Sequence, residues 1–135
     1  MFELAYTSRA SEMMAPNQLE ELLAEAIEFN TSHDITGLLL YNDGIFFQVL
    51  EGEEYAVRNL FANIKKDFRH YDVRTIYEQS LVQRHFKDWS MRFYNVSPDQ
   101  RQQGHSDIIH TKLNETENWV MPSTAMVLVD AFQHL

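Results

Sequence analysis

Apolar residues recur along this chain with two periods, and the change from one to the other is marked by turn and capping residues. Residues 2–9 read as a short buried strand, with Leu4, Tyr6 and Ser8 on one face. Pro16-Asn17-Gln18-Leu19-Glu20 opens a helix, with Asn17 and Glu20 at the spacing of a capping box. Its apolar positions Leu19, Leu22, Leu23, Ala26 and Ile27 fall on one face, and Asn30 continues that stripe. Ile35 to Tyr41 and Ile45 to Leu50 are strand-like runs separated by Asp43-Gly44, a pair that favours a tight two-residue hairpin turn. After Gly52, the residues Ala56, Val57, Leu60, Phe61 and Ile64 mark a second amphipathic helix ending in Lys65 and Lys66, where cations suit the helix dipole. Val73 to Val82 reads as a further strand and Trp89 to Val96 as another. The order strand, helix, strand, strand, helix, strand, with one strand added, predicts an α+β fold. It is a ferredoxin-like sheet of about five strands with both helices on one face.

Pairing Asn42 with Ile45 in the hairpin puts Leu39 opposite Gln48 and Gly37 opposite Leu50, all directed to one face. Leu38, Leu40, Phe47 and Val49 go to the other. Both faces are therefore largely apolar, whereas a sheet of this type covers only one with its own helices. The expected cover for the second face is the C-terminal segment. There Ser97-Pro98-Asp99-Gln100 is a helix start, Gly104 a stop, and Pro122 to Leu135 is apolar nearly all round. The expected organisation is a core over residues 1–96 and a helical cap or output segment over residues 97–135.

With 135 residues, 44% of them hydrophobic, the chain is sized for one packed domain. Its net charge of −9 repels nucleic-acid phosphates and anionic lipid surfaces, so neither nucleic acid nor membrane is expected as a direct partner. No apolar run is long enough to span a bilayer, and Glu3 stands where a signal peptide carries a cation; a cytoplasmic protein is expected. Matches to the glycosylation sequon at Asn95 and Asn114 are then chance. Cysteine is absent, which removes disulfides, thiolate nucleophiles and cysteine-based metal centres.

Glycines at positions 37, 44, 52 and 104 form neither a dinucleotide loop nor a phosphate-binding P-loop. His105 and His110 are too far out of phase to share a helical face as metal ligands. No Ser, His and Asp set stands in a nucleophile context, and Glu20, Glu21, Glu25 and Glu28 line an exposed helix face. What stands out is three polar side chains on surfaces that otherwise read as core: Tyr6, Asn30 and Gln48. Taken singly, each has an ordinary reading: a core tyrosine bonded to backbone, a frayed helix end, an edge-strand residue facing water. Taken together they are buried groups in need of hydrogen-bond partners. Gly37 leaves room nearby for a flat ligand, and an amide with both donors and an acceptor suits the edge of a heteroaromatic ring.

Ile35-Thr36-Gly37-Leu38-Leu39-Leu40-Tyr41, followed by Phe46-Phe47-Gln48-Val49-Leu50-Glu51-Gly52, resembles the signature of the BLUF family, the sensors of blue light using FAD. Tyr6-Thr7-Ser8, Asp67-Phe68-Arg69-His70 and Phe86-Lys87-Asp88-Trp89-Ser90-Met91 extend the resemblance in order along the chain. It implies a blue-light photoreceptor rather than an enzyme. It also implies a flavin held between the two helices on the sheet, usually FAD, with FMN or riboflavin as the other options. By position, Tyr6 is the photoactive tyrosine and Gln48 the switching glutamine. Asn30 bonds the carbonyl edge of the ring, Arg69 contacts its far carbonyl, and Asp67 and His70 stand beside it. Trp89 and Met91 are the pair that exchange places near Gln48 and relay the signal, with plain core packing as their other reading. Phe29 departs from the family where a polar side chain is frequent, and Phe68 where proline is common. The segment after the core has no room for a catalytic effector domain, so the signal is expected to pass to an effector protein in trans or to another copy in a homo-oligomer. Two readings compete. One is a flavin-free ferredoxin-like interaction module; the other is an acylphosphatase-like enzyme, for which Thr7-Ser8-Arg9-Ala10-Ser11 supplies an arginine but no glycine-rich anion loop.

Overall fold

In the computed structural model, which describes residues 1–87 and 90–95, seven elements follow one another. They are β1 (Phe2–Ala10), α1 (Pro16–Ser32), β2 (Thr36–Asn42), β3 (Ile45–Gly52), α2 (Glu54–Lys65), β4 (His70–Ser80) and β5 (Arg92–Asn95). The strands form one sheet in the order β4-β1-β3-β2-β5. β5 runs parallel to β2, and every other neighbouring pair is antiparallel. This is the expected α+β, ferredoxin-like arrangement with one edge strand added. Among the described residues no helix is long and apolar enough to cross a membrane. The helices expected over residues 97–135 lie outside the described residues, as does Trp89.

The hairpin follows the parity of the sequence: Asn42 pairs with Ile45, Leu39 with Gln48 and Gly37 with Leu50. Asp43 and Gly44 take positive φ, 44° and 90°, as the tight turn between twisted strands requires. Gly37 has a different role from the one expected. It does not line the cavity between the helices and the sheet; a Cβ there would collide with the carbonyl oxygen of Val49 and lie 3.4 Å from Met91 Cε. Glycine lets the β2 and β3 backbones close on each other rather than making room for a ligand.

The start of α1 differs from the capping pattern read in the sequence, and the cap of α2 lies outside any pattern read there. α1 begins at Pro16 with Ala15 as its N-cap. Proline's preset φ and missing N–H suit the first helical position, which draws the start ahead of Asn17. Gln18 Oε1 then accepts from Ala15 N at 2.8 Å, in place of any bond between Asn17 and Glu20. α2 is capped by Glu53, whose carboxylate oxygens accept from Tyr55 N at 3.1 Å and Ala56 N at 3.0 Å. β4 starts at His70, not Val73, and ends at Ser80. Its register against β1 shifts twice, and Asp72 has φ of 54°, so bulges break the strict alternation on which the later start rests.

Leu4, Leu39, Phe46 and Leu50 pack against Leu19 and Leu23 of α1 and Val57 and Phe61 of α2, so both helices cover the face that carries Tyr6 and Gln48. On the opposite face Ala5, Leu38, Leu40, Phe47 and Val49 are buried together with Phe86. A Gly37→Ala substitution forces the β2–β3 pair apart and is expected to cost about 2 kcal/mol, the typical penalty of overpacking a core. A denaturation midpoint equal to that of the wild type would show that strand spacing is not what requires glycine there.

Candidate functional site

A cavity of about 320 Å³ lies on the helix-covered face of the sheet. Tyr6, Leu39, Phe46 and Gln48 reach it from β1, β2 and β3; Leu22, Glu25, Ala26, Phe29 and Asn30 from α1; Leu60, Asn63 and Ile64 from α2. The loop after α2 adds Asp67 and Arg69, and His70 opens β4 beside them.

Tyr6 and Gln48 are direct partners in the β1–β3 register and are only 3% and 5% exposed. The Tyr6 hydroxyl donates to Gln48 Oε1, so its partner is a side chain rather than backbone, and Gln48 does not face water. Gln48 Nε2 points to Met91 Sδ at 3.6 Å, a weak thioether acceptor. Burial, together with the negative charge of Asp67, pushes the Tyr6 phenol well above its ordinary pKa, so the hydroxyl keeps its proton.

Asn30 is 1% exposed and firmly held at its helix end. Its Nδ2 donates to the carbonyl of Ser90 at 2.9 Å, and its own carbonyl accepts from Ile35 N at 2.8 Å. Thr31 Oγ1 donates to Ser90 Oγ at 2.8 Å, one residue along. Ser90 was not marked by the sequence reading, because its tie to Asn30 runs through a backbone carbonyl that no residue type signals. Ser90 and Met91 thus meet Asn30 and Gln48 at the entrance to β5.

At the other end of the cavity Arg69 grips Asp67 through Nε–Oδ1 at 3.0 Å and a terminal nitrogen to Oδ2 at 2.6 Å, and reaches Glu25 at 3.2 Å. The bonds from Arg69 hold Asp67 below the ordinary carboxylate range, and the same bonds raise Arg69. His70 Nε2 faces the carbonyl of Ile64 at 2.5 Å and Nδ1 the hydroxyl of Ser8 at 2.7 Å. A carbonyl only accepts, so Nε2 carries hydrogen, and in the neutral ring Nδ1 accepts from Ser8. His70 therefore ties α2 to β1 and presents its ring, not a free nitrogen, to the cavity.

Phe29 extends the apolar wall and stacks on His33 with centroids 3.9 Å apart. Phe68 points outward, 87% exposed, and its carbonyl accepts from Ser11 Oγ at 2.7 Å, a bond that anchors the loop where proline is absent. Asn63 is a lining residue that the pattern could have exposed, since it borders the apolar stripe between Leu60 and Ile64. Apolar walls with Asn30 toward the β5 side and Asp67–Arg69 toward the β4 side suit a flat ring with apolar faces and polar edges.

A profile of the family described as "Sensors of blue-light using FAD" matches residues 1–92. The chain is 37% identical over 89 residues to the photoactivated adenylate cyclase subunit beta of Euglena gracilis, covering 65% of this chain and 10% of that protein. It is 31% identical over 98 residues to the blue light- and temperature-regulated antirepressor BluF of Escherichia coli (strain K12), covering 73% of this chain and 24% of that one. It thus spans about a tenth of the length of the cyclase subunit and about a quarter of the antirepressor. Among solved structures, the dark state of BlrB, a BLUF protein, matches with a TM-score of 0.67 at 28% identity, over 82% of this chain and 90% of that one. Klebsiella pneumoniae BlrP1 with FMN and cyclic diGMP matches with a TM-score of 0.73 at 29% identity, over 98% of this chain and 34% of that one. Family profile, sheet order and solved relatives agree: this chain belongs to the BLUF family, the sensors of blue light using FAD.

Proposed function

We propose that this chain is a blue-light photosensor that holds a flavin, FAD in particular, in the cavity between α1 and α2 and signals by altered protein contacts rather than by catalysis. The observation that carries this reading is the Tyr6 hydroxyl bonded to Gln48 Oε1 at a cavity with Asn30 and Arg69 toward its two ends. Membership of the family supports the flavin; one solved relative is described with FMN, so binding of each flavin is the measurement that selects among them.

When bound, a flavin supplies absorption of blue light and, once excited, a strong oxidant. Tyr6 is the source of an electron and a proton. Its phenol is protonated in the dark and its O–H is already directed at Gln48 Oε1. An oxidised phenol is strongly acidic, so the proton passes along that bond to Oε1. Return of the electron and of that proton restores Tyr6 without obliging the amide to keep its old orientation. Nε2 is held by a weak sulfur acceptor, so rotation about the last side-chain torsion exchanges Nε2 and Oε1 at modest cost. After the exchange Nε2 faces Tyr6, and Oε1 faces a sulfur that has no hydrogen to donate. Met91 is released, and with Ser90 it passes the change into β5. The resemblance adds Trp89 to this relay. Asn30, and Arg69 braced by Asp67, orient the ring, while Leu22, Ala26 and Leu60 keep water from it. The output is a contact with an effector in trans or with a second copy; an antirepressor among the relatives supports a binding output.

The purified protein is expected to be yellow and to show a reversible red shift of its absorption under blue light, lost in both Tyr6→Phe and Gln48→Leu. A full, stable shift in Tyr6→Phe would rule out the proton path, and a colourless protein that takes up no added flavin would favour an interaction module. Asn30→Ala is expected to raise the flavin Kd roughly ten-fold, the worth of about one good hydrogen bond, in a fluorescence titration with FAD. An unchanged Kd would remove Asn30 from the ring contacts.

A further inference from the structure

The register that sets Tyr6 against Gln48 also sets Glu3 against Glu51, on the opposite face of the sheet. Both carboxyls are 0% exposed. Glu3 Oε1 accepts from Tyr77 OH at 2.9 Å and Gln79 Nε2 at 2.8 Å, both on β4, and Oε2 faces His85 Nδ1 at 2.8 Å. Glu51 Oε1 accepts from Thr36 Oγ1 at 3.1 Å and Phe86 N at 2.9 Å, and Oε2 from His85 N at 2.7 Å. One oxygen of each carboxyl and Nδ1 of His85 lie within 4.8 Å of one another.

Two touching carboxylates cannot both ionise in a dry interior unless a cation stands between them. Among the described residues, the arginines on this face are turned to other groups. Arg84 turns to Thr36 Oγ1 at 2.9 Å, to the Glu51 carbonyl at 3.2 Å and to Asp34 Oδ2 at 3.1 Å, at the rim. Arg92 of β5 lies over the Tyr94 ring at 5.5 Å. Tyr77 is a phenol held protonated by burial and by the charge of Glu3. His85 remains, with Nδ1 at 2.8 Å from Glu3 and 3.7 Å from Glu51.

We propose that Glu3 and Glu51 share one proton, and that loss of this proton is a pH-sensitive release for His85, which is bonded to Glu3 through its ring and to Glu51 through its backbone. With the proton in place the pair is a compact clasp on residues 85–86. Without it, mutual repulsion drives the carboxylates apart; the backbone N–H groups of His85 and Phe86 favour the ionised Glu51 and stay with it, so the bond that parts is the one between the His85 ring and Glu3. Residues 85–86 lead along the chain to Ser90 and Met91, so the same proton bears on the contacts of Asn30 and Gln48.

Burial, aided by the hydrogen bond with Glu3, pushes Glu51 up to about 7. Burial also acts to raise Glu3, but the bonds from Glu51, Gln79, His85 and Tyr77 outweigh it and leave Glu3 lowered, so the proton resides on Glu51. Since Glu51 is raised in the folded state from 4.5, the clasp is fully present below that pH and is lost as pH rises through about 7.

The test is a carboxyl-carbon NMR titration of the full chain in the dark, labelled at its glutamates, from about pH 4 to about pH 9. The expected result is one glutamate titrating near pH 7, assigned by its loss in Glu51→Gln, with the amides of His85 and Phe86 shifting at the same midpoint. In Glu3→Gln, where the new amide can donate to Glu51 and burial remains, that step moves to lower pH. Wild-type protein whose glutamates all titrate in the ordinary range would overturn the proposal, and this measurement needs no variant to fold. So would amide steps that survive in Glu51→Gln and vanish in His85→Gln, because they report the imidazole alone.

Discussion

The register between β1 and β3 is the constraint on which the rest depends. Tyr6 opposite Gln48 and Glu3 opposite Glu51 are two readings of one ladder, three residues apart. An odd step along a strand changes face, so the same pairing puts the tyrosine–glutamine pair beneath the helices and the acid pair on the reverse. A slip of one residue would separate both pairs at once. The hairpin pins the ladder from one side, through Asp43-Gly44 and the close approach that Gly37 permits; β4 pins it from the other, through its bulged pairing with β1. The polar groups of both faces therefore draw their geometry from backbone hydrogen bonds, the least adjustable part of the structure.

Within the cavity the polar groups differ in how firmly they are held, and that difference supports Gln48 as the moving part of the proposed switch. Arg69 and Asp67 form a charged, two-pronged pair, and His70 has both ring nitrogens engaged. Asn30 is fastened to Ser90 and to the turn into β2. Gln48 alone among these joins a hydroxyl on one side to a thioether on the other. A neutral hydrogen bond contributes about 1 kcal/mol net, and a sulfur acceptor less, so the amide is the group whose two orientations lie closest in free energy.

How much of this could be read in the sequence depended on whether the signal was carried by side-chain type. The hairpin, the helical stripes and the burial of Tyr6, Asn30 and Gln48 follow from apolar periodicity interrupted by polar residues, and the structure brings all three to one cavity. The cap of α1 was misread because Pro16 outweighs Asn17 in choosing where the helix begins. The start of β4 was misread because bulges leave no regular alternation. At Gly37 the sequence reveals a missing side chain but not the Val49 carbonyl that fills its place, so ligand space and close strand approach look alike there. Ser90 acts on Asn30 through its backbone, and Glu51 was visible only as part of a motif; that it meets Glu3 depends on a pairing 48 residues apart, stated by the register and by nothing local.

Residues 84–91 connect the two faces. Arg84, His85 and Phe86 bond to Glu51, Glu3 and Thr36 on one side of the sheet, while Ser90 and Met91 meet Asn30 and Gln48 on the other. Phe86 and Ser90 stand four positions apart in the chain, so the contacts on the two faces belong to one short stretch of sequence. In the proposed switch, the grip on His85 and Phe86 is an anchor upstream of Met91 when Gln48 turns. The acid pair, remote from the cavity and on the wrong face to touch a ligand, is for that reason positioned to tune the switch without taking part in it.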